Sequence, residues 1–142
     1  MNMLNKIGVI FLVFIAISCS KKSEATQEVP STASVISETI GPNEFESKMR
    51  SMKDVVILDV RTPGELANGY IEGAINIDFK ASDFQTKIGT MDKDATYFVY
   101  CAGGGRSRDA ANLMKELNFK VVYDLKGGFS QWSANGLPTK LP

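Results

Sequence analysis

The sequence predicts an α/β domain whose central sheet is largely parallel and covered by helices on both faces. Two observations carry that expectation. Strand-length apolar runs, such as residues 55–60 and 97–100, are continuous in hydrophobicity, as strands buried on both faces are. Segments with helical periodicity or helix-capping residues separate these runs, so strands and helices alternate throughout the folded part.

The folded part is expected to start near residues 35–40. Pro42 suits the first position of a helix, and Phe45, Met49 and Met52 follow at helical spacing. Residues 55–60 then give the first buried strand. The stretch TPGELANG reads as a short helix, with Thr62 as N-cap, Pro63 in the first turn, Glu65 as reciprocal capping partner and Gly69 as the stop. A strand returns around residues 74–77, and Ser82 is placed to cap a helix in SDFQTKI. ATYFVYC is another buried-type strand. SRDAANLMKELNF is the clearest helix, with Ala110, Leu113, Met114 and Leu117 on one apolar stripe. KVVYDLKGG gives a strand and turn, and FSQWSANG a short helix ended by Gly136 ahead of Pro138. Sheets of this kind bind ligands at the carboxyl ends of their strands, and Cys101 stands at such an end.

Residues 1–18 are expected to lie outside the fold. Lys6 gives a positive start, and residues 7–17 form an uninterrupted apolar run. That run is too short to cross a hydrocarbon core of about 30 Å as a helix, and it fits the hydrophobic region of a signal peptide. Small Ser18 then precedes Cys19. This ending resembles the lipobox of bacterial lipoproteins, although Ala16 stands where leucine is usual. The resemblance implies acylation of Cys19, export, and attachment to a membrane facing the periplasm or the cell exterior. An ordinary cleaved signal peptide and a retained N-terminal anchor are the competing readings. Residues 19–35 are polar and read as a flexible tether, which leaves residues 36–142 for one domain.

Composition narrows the chemistry. Lysine plus arginine balance aspartate plus glutamate at 16 each, so nucleic-acid binding through phosphate neutralisation has no support. The chain has no histidine, which removes Ser-His and Cys-His hydrolase arrangements and any imidazole proton shuttle. With only two cysteines as well, a structural zinc site lacks ligands, and no metal or cofactor is expected. Acylation of Cys19 would leave Cys101 as the free thiol of the mature chain, with no disulfide partner. A lone thiol in an oxidising compartment points to reactivity.

The stretch CAGGGRS supplies what such a thiol needs. Gly103, Gly104 and Gly105 have positive φ available at little cost, so the turn can aim backbone N–H groups inward as an anion nest. A helix starting near Ser107 adds its positive end, and Arg106 adds a charged, forked donor set. The expected result is a stabilised thiolate and a seat for an oxyanion or an anionic persulfide. A buried cysteine followed by a flexible turn and a solvated arginine is the bland alternative, and it leaves the coincidence of these features unexplained. A Walker-type phosphate loop is disfavoured, because the required lysine and spacing are missing.

Three separated segments carry a wider likeness. LDVRTPGELANGYIEGAINI is similar to the opening pattern of single-domain rhodaneses, YCAGGGRS to their active-site loop C-x-x-G-x-R-S, and LKGGFSQWSANGLP to their closing pattern. Together they span residues 58–138. The chain thus resembles a rhodanese, a sulfurtransferase, and the resemblance implies a five-stranded parallel sheet. It also implies that Cys101 accepts sulfur as a persulfide, that Ala102, Gly103, Gly104, Gly105 and Arg106 cradle it, and that Arg106 attracts anionic donors. The implied partners are a small anionic sulfur donor such as thiosulfate and a thiol or cyanide acceptor. Asp59 and Arg61 match a D-x-R pair that reads as mainly structural, Glu65 reads as a cap and ion-pair partner, and Trp132 as core. Tyr70 and Glu72 depart from the histidine and proline usual there.

Two other functions compete. Phosphatases and arsenate reductases on the related fold place the loop arginine one position further from the cysteine. Arg106 comes five positions after Cys101, a shorter loop that favours bound sulfur over phosphate. The second alternative is an exported sulfur-carrier or redox-relay module that acts on a protein partner without efficient thiosulfate-to-cyanide turnover.

Overall fold

The computed structural model describes residues 35–142. The expected signal peptide, Cys19 and all of the tether except Val35 lie outside the described residues. Five strands form one sheet: β1 (Ile36–Ile40), β2 (Val55–Asp59), β3 (Ile75–Asn76), β4 (Thr96–Tyr100) and β5 (Val121–Leu125). Their order is β1-β5-β4-β2-β3, and every pairing is parallel. Among the described residues there are four α-helices: α1 (Pro42–Ser51), α2 (Phe84–Gly89) and α3 (Gly105–Glu116) lie between strands, and α4 (Gly128–Ala134) follows β5. A 3-10 helix over Pro63–Asn68 follows β2. The α/β fold with a five-stranded parallel sheet is therefore the one expected.

Alternation along β4 explains why both faces need helices. Tyr97 and Val99 enter one core with Leu58, Ile88, Met114 and Phe119. Phe98 and Tyr100 enter the other with Phe45, Leu125, Phe129 and Trp132. Residues of α2 and α3 thus cover one face, and residues of α1 and α4 the other. Phe45 meets Phe98 edge-on at 5.0 Å and Trp132 at 6.1 Å, the geometry that ring quadrupoles favour. Trp132 is buried, and its indole N–H donates to the Pro138 carbonyl at 2.9 Å, so it packs as core.

Several local expectations shift. β1 had no strand signal of its own, because ISETI exposes Glu38 and Thr39 at the sheet edge; pairing with β5 makes it a strand. α1 ends at Ser51, which leaves Met52 as the C-cap, 37% exposed rather than part of the buried stripe. Asp83, not Ser82, is the N-cap of α2, and no side chain caps that end. The strand expected over residues 74–77 pairs only at Ile75 and Asn76, on the free edge of β2. α3 begins at Gly105, two residues before Ser107.

Candidate active site

β4 lies in the middle of the sheet, between β5 and β2, and its carboxyl end delivers Cys101. The free thiol sits recessed, 1% exposed. The Gly104 N–H donates to Cys101 Sγ at 3.0 Å. Gly104 is the N-cap of α3 with φ +92°, a left-handed conformation that glycine adopts without steric cost. A Cβ at this position would also stand 3.0 Å from the Gly127 nitrogen. The three glycines therefore divide their roles: Gly104 takes the positive φ, while Gly103 and Gly105 do not. Gly105 and Arg106 are the first two residues of α3, where backbone N–H groups have no intrahelical acceptor and the helix dipole favours negative charge. The sulfur is thus held at a helix N-terminus.

The loop is also held from behind. Phe129 N–H donates to the Cys101 carbonyl at 2.7 Å, and Ser130 N–H to the Ala102 carbonyl at 3.0 Å. Both donors belong to the first turn of α4. Gly128, with φ +59°, permits the approach: a Cβ there would lie 2.4 Å from the Cys101 oxygen. The paired glycines of LKGGF thus support the Cys101 loop. Their place in the closing pattern of the sequence does not by itself indicate this role. The signal was present in the topology, because β5 pairs in parallel with β4 and its carboxyl end emerges beside Cys101.

The forked donor set of Arg106 is engaged by a carboxylate. Its Nη1 and Nη2 donate to Glu65 Oε2 and Oε1 at 2.9 and 2.7 Å. Glu65 Oε2 also accepts the Thr62 N–H at 2.9 Å and the Thr62 hydroxyl at 2.8 Å, so the carboxylate serves as both cap and ion-pair partner. The Arg106 hydrogen bond, against partial burial, holds the Glu65 carboxyl down at about 2.

Asp59 and Arg61 form a separate, buried pair, with Arg61 Nη2 to Asp59 Oδ2 at 2.6 Å. Arg61 also donates to the Gly69 carbonyl at 2.9 Å and lies 4.2 Å over the Phe129 ring. The pair thereby braces the segment of α4 that holds the loop, and its hydrogen bonds do not run to the sulfur. Burial, then the nearby Asp59 carboxylate, push the Tyr100 hydroxyl well above its usual range. Asp124 was not singled out in the sequence. It is buried beneath the start of α3, accepting from Ser107 Oγ at 2.5 Å and Thr39 Oγ1 at 3.0 Å. Burial raises its carboxyl, and those two bonds oppose the shift.

The two departures lie elsewhere. Tyr70 exchanges backbone hydrogen bonds of 2.8 Å with Lys140, and Glu72 pairs with the Lys140 ammonium at 3.1 Å. They fasten the C-terminal tail. A groove of about 230 Å³ lined by Met49, Arg50, Ile71, Glu72, Trp132 and Pro138 also excludes the Cys101 loop. Among the described residues, no group of three or more His, Cys, Asp or Glu is placed to hold a metal ion.

Comparison with known proteins agrees with this fold. A protein of Allochromatium vinosum named "Sulfurtransferase" is 30% identical over 105 residues, covering 70% of this chain and 96% of that protein. "Thiosulfate sulfurtransferase 16, chloroplastic" of Arabidopsis thaliana is 38% identical over 93 residues, covering 58% and 78%. The crystal structure of a rhodanese-related protein from Thermoplasma volcanium matches with a TM-score of 0.65 and 30% identity, over 74% of this chain and 99% of that one. The sequence profile described as "Rhodanese-like domain" matches residues 41–135, and the chain belongs to that family.

Proposed function

We propose that this protein is a sulfurtransferase that carries sulfur as a persulfide on Cys101. The observation that carries the reading is the seat of the sulfur. Its Sγ accepts the Gly104 N–H at the N-terminus of α3, where a helix favours negative charge. A persulfide keeps one negative charge on its outer sulfur, within reach of the remaining donors of that turn. The names of the relatives support the same reaction class.

In the first step the Cys101 thiolate attacks the outer sulfur of a donor such as thiosulfate. A new S–S bond forms, the donor's own S–S bond breaks, and sulfite leaves with the electron pair. In the second step cyanide or a thiolate attacks the outer sulfur, and Cys101 leaves as thiolate. The two half-reactions need neither a proton shuttle nor an external oxidant, as covalent nucleophilic catalysis of this kind allows. Ala102, Gly103, Gly104 and Gly105 supply the backbone cradle, and Arg106 stands at its rim. The sequence ending at Cys19 supports export and lipid attachment, with the domain facing the periplasm or cell exterior.

The test is thiocyanate formation by the full-length chain supplied with thiosulfate and cyanide. Turnover is expected, and Cys101→Ser should reduce it to background, a loss of about a thousandfold or more. Thiocyanate formation that survives Cys101→Ser would contradict the proposal. A sulfur-loaded Cys101 without turnover to cyanide would instead favour the carrier module.

A further inference from the structure

We infer that Glu65 sets the charge preference of the site: it fills the anion-binding fork of Arg106 and so lowers the advantage of small anionic reactants at Cys101. Arg106 is the second residue of α3, the helix whose N-cap N–H holds the Cys101 sulfur. Yet both of its terminal nitrogens are spent on one carboxylate in a bidentate pair. That carboxylate is itself anchored by two bonds from Thr62, on the segment that follows β2. Glu65 therefore cannot swing aside without losing its cap.

The location of the pair matters. The Arg106 and Glu65 side chains are 20% and 32% exposed, whereas those of Arg61 and Asp59 are 3% and 1% exposed. The buried pair braces the fold, and the partly exposed pair joins the first turn of α3 to the segment after β2 with solvent access. A small dianion reaching Sγ meets a guanidinium whose charge is already compensated. It must rely on backbone donors and the helix end, or displace Glu65. A neutral reactant meets no such barrier. Glu65 is thus a positioning residue that acts through Arg106. For sulfur donors the consequence rests on the sulfurtransferase reading: free thiosulfate should be a weaker donor than the bare cradle with Arg106 would allow.

The electrostatic claim can be tested without any sulfur transfer. Iodoacetate and iodoacetamide both alkylate the Cys101 thiolate, forming an S–C bond while iodide leaves with the bonding electron pair. The ratio of their rates cancels the thiolate fraction and reads the local preference for negative charge. Rates would be followed on the Cys101 peptide of the full-length chain by mass spectrometry, with folding checked by thermal unfolding. In Glu65→Gln, which keeps an oxygen for Thr62, the iodoacetate-to-iodoacetamide ratio should rise about three- to tenfold, the effect of one partly screened charge. The double variant Glu65→Gln with Arg106→Gln should return to within about twofold of the unmodified protein, because a compensated pair has been replaced by a neutral one. A ratio that stays level or falls in Glu65→Gln would overturn the inference. So would a severalfold fall in the double variant, which is the result expected if Arg106 already draws anions in the native pair. Because alkylation needs no persulfide, failure here is separable from failure of the sulfurtransferase reading.

Discussion

Glu65 collects hydrogen bonds from Arg106 and Thr62, and the Arg106 bond contributes most to holding its carboxyl down. This gives the acid stability of the protein a definite sign. Unfolded, Glu65 takes up its proton near 4.5; folded, only near about 2. The unfolded chain therefore binds more protons between these values, so the stability due to Glu65 is complete above pH 4.5 and is lost as pH falls toward about 2. Asp124 acts in the opposite sense, because burial raises its carboxyl and folding then favours the protonated form. Comparing variants isolates Glu65. Urea unfolding at stepped pH should show a shallower acid decline in Glu65→Gln than in the unmodified protein. The difference should shrink in high salt, since the pair is partly exposed. An unchanged acid slope would mean that the ion pair contributes nothing.

Among the elements, α3 and α4 converge on the end of β4 with opposite duties. The start of α3 donates to the sulfur, and the start of α4 donates to the carbonyls of the residues that carry it. Gly128 is where α4 makes its closest approach. Gly128→Ala combines a positive φ with a Cβ driven into the Cys101 carbonyl, and it should cost more than about 2 kcal/mol and slow alkylation of Cys101. Gly89→Ala, at the end of α2 with nothing within 4 Å of the added carbon, should stay within about 1 kcal/mol of the unmodified protein. Denaturant midpoints of the two variants check the contrast, and equal midpoints would refute the proposed role of α4.

At the scale of the whole molecule, legibility followed the distance over which information had to travel. β4 and α3 could be read because their signals are local: a continuous apolar run, then a stripe at helical spacing. The Thr62 to Glu65 cap could be read for the same reason, over three residues. The bond from Arg106 to Glu65 spans 41 positions, and nothing in either segment specifies that partner over another carboxylate. The contact of α4 with the Cys101 carbonyl likewise needed the sheet to bring β5 beside β4. β1 is a strand by pairing rather than by pattern, since its polar residues face solvent at the edge. The thiol at the strand end could be located from sequence; the charge compensation around it could not.

The reading of Cys101 as a sulfur carrier is tested most directly by the mass of its peptide after the full-length chain has met thiosulfate. The expected result is a gain of about 32 Da, one sulfur, on Cys101. Cyanide should remove that mass as thiocyanate, and Cys101→Ser should never acquire it. A folded protein whose Cys101 alkylates readily, yet gains no sulfur from thiosulfate or from polysulfide, would contradict it.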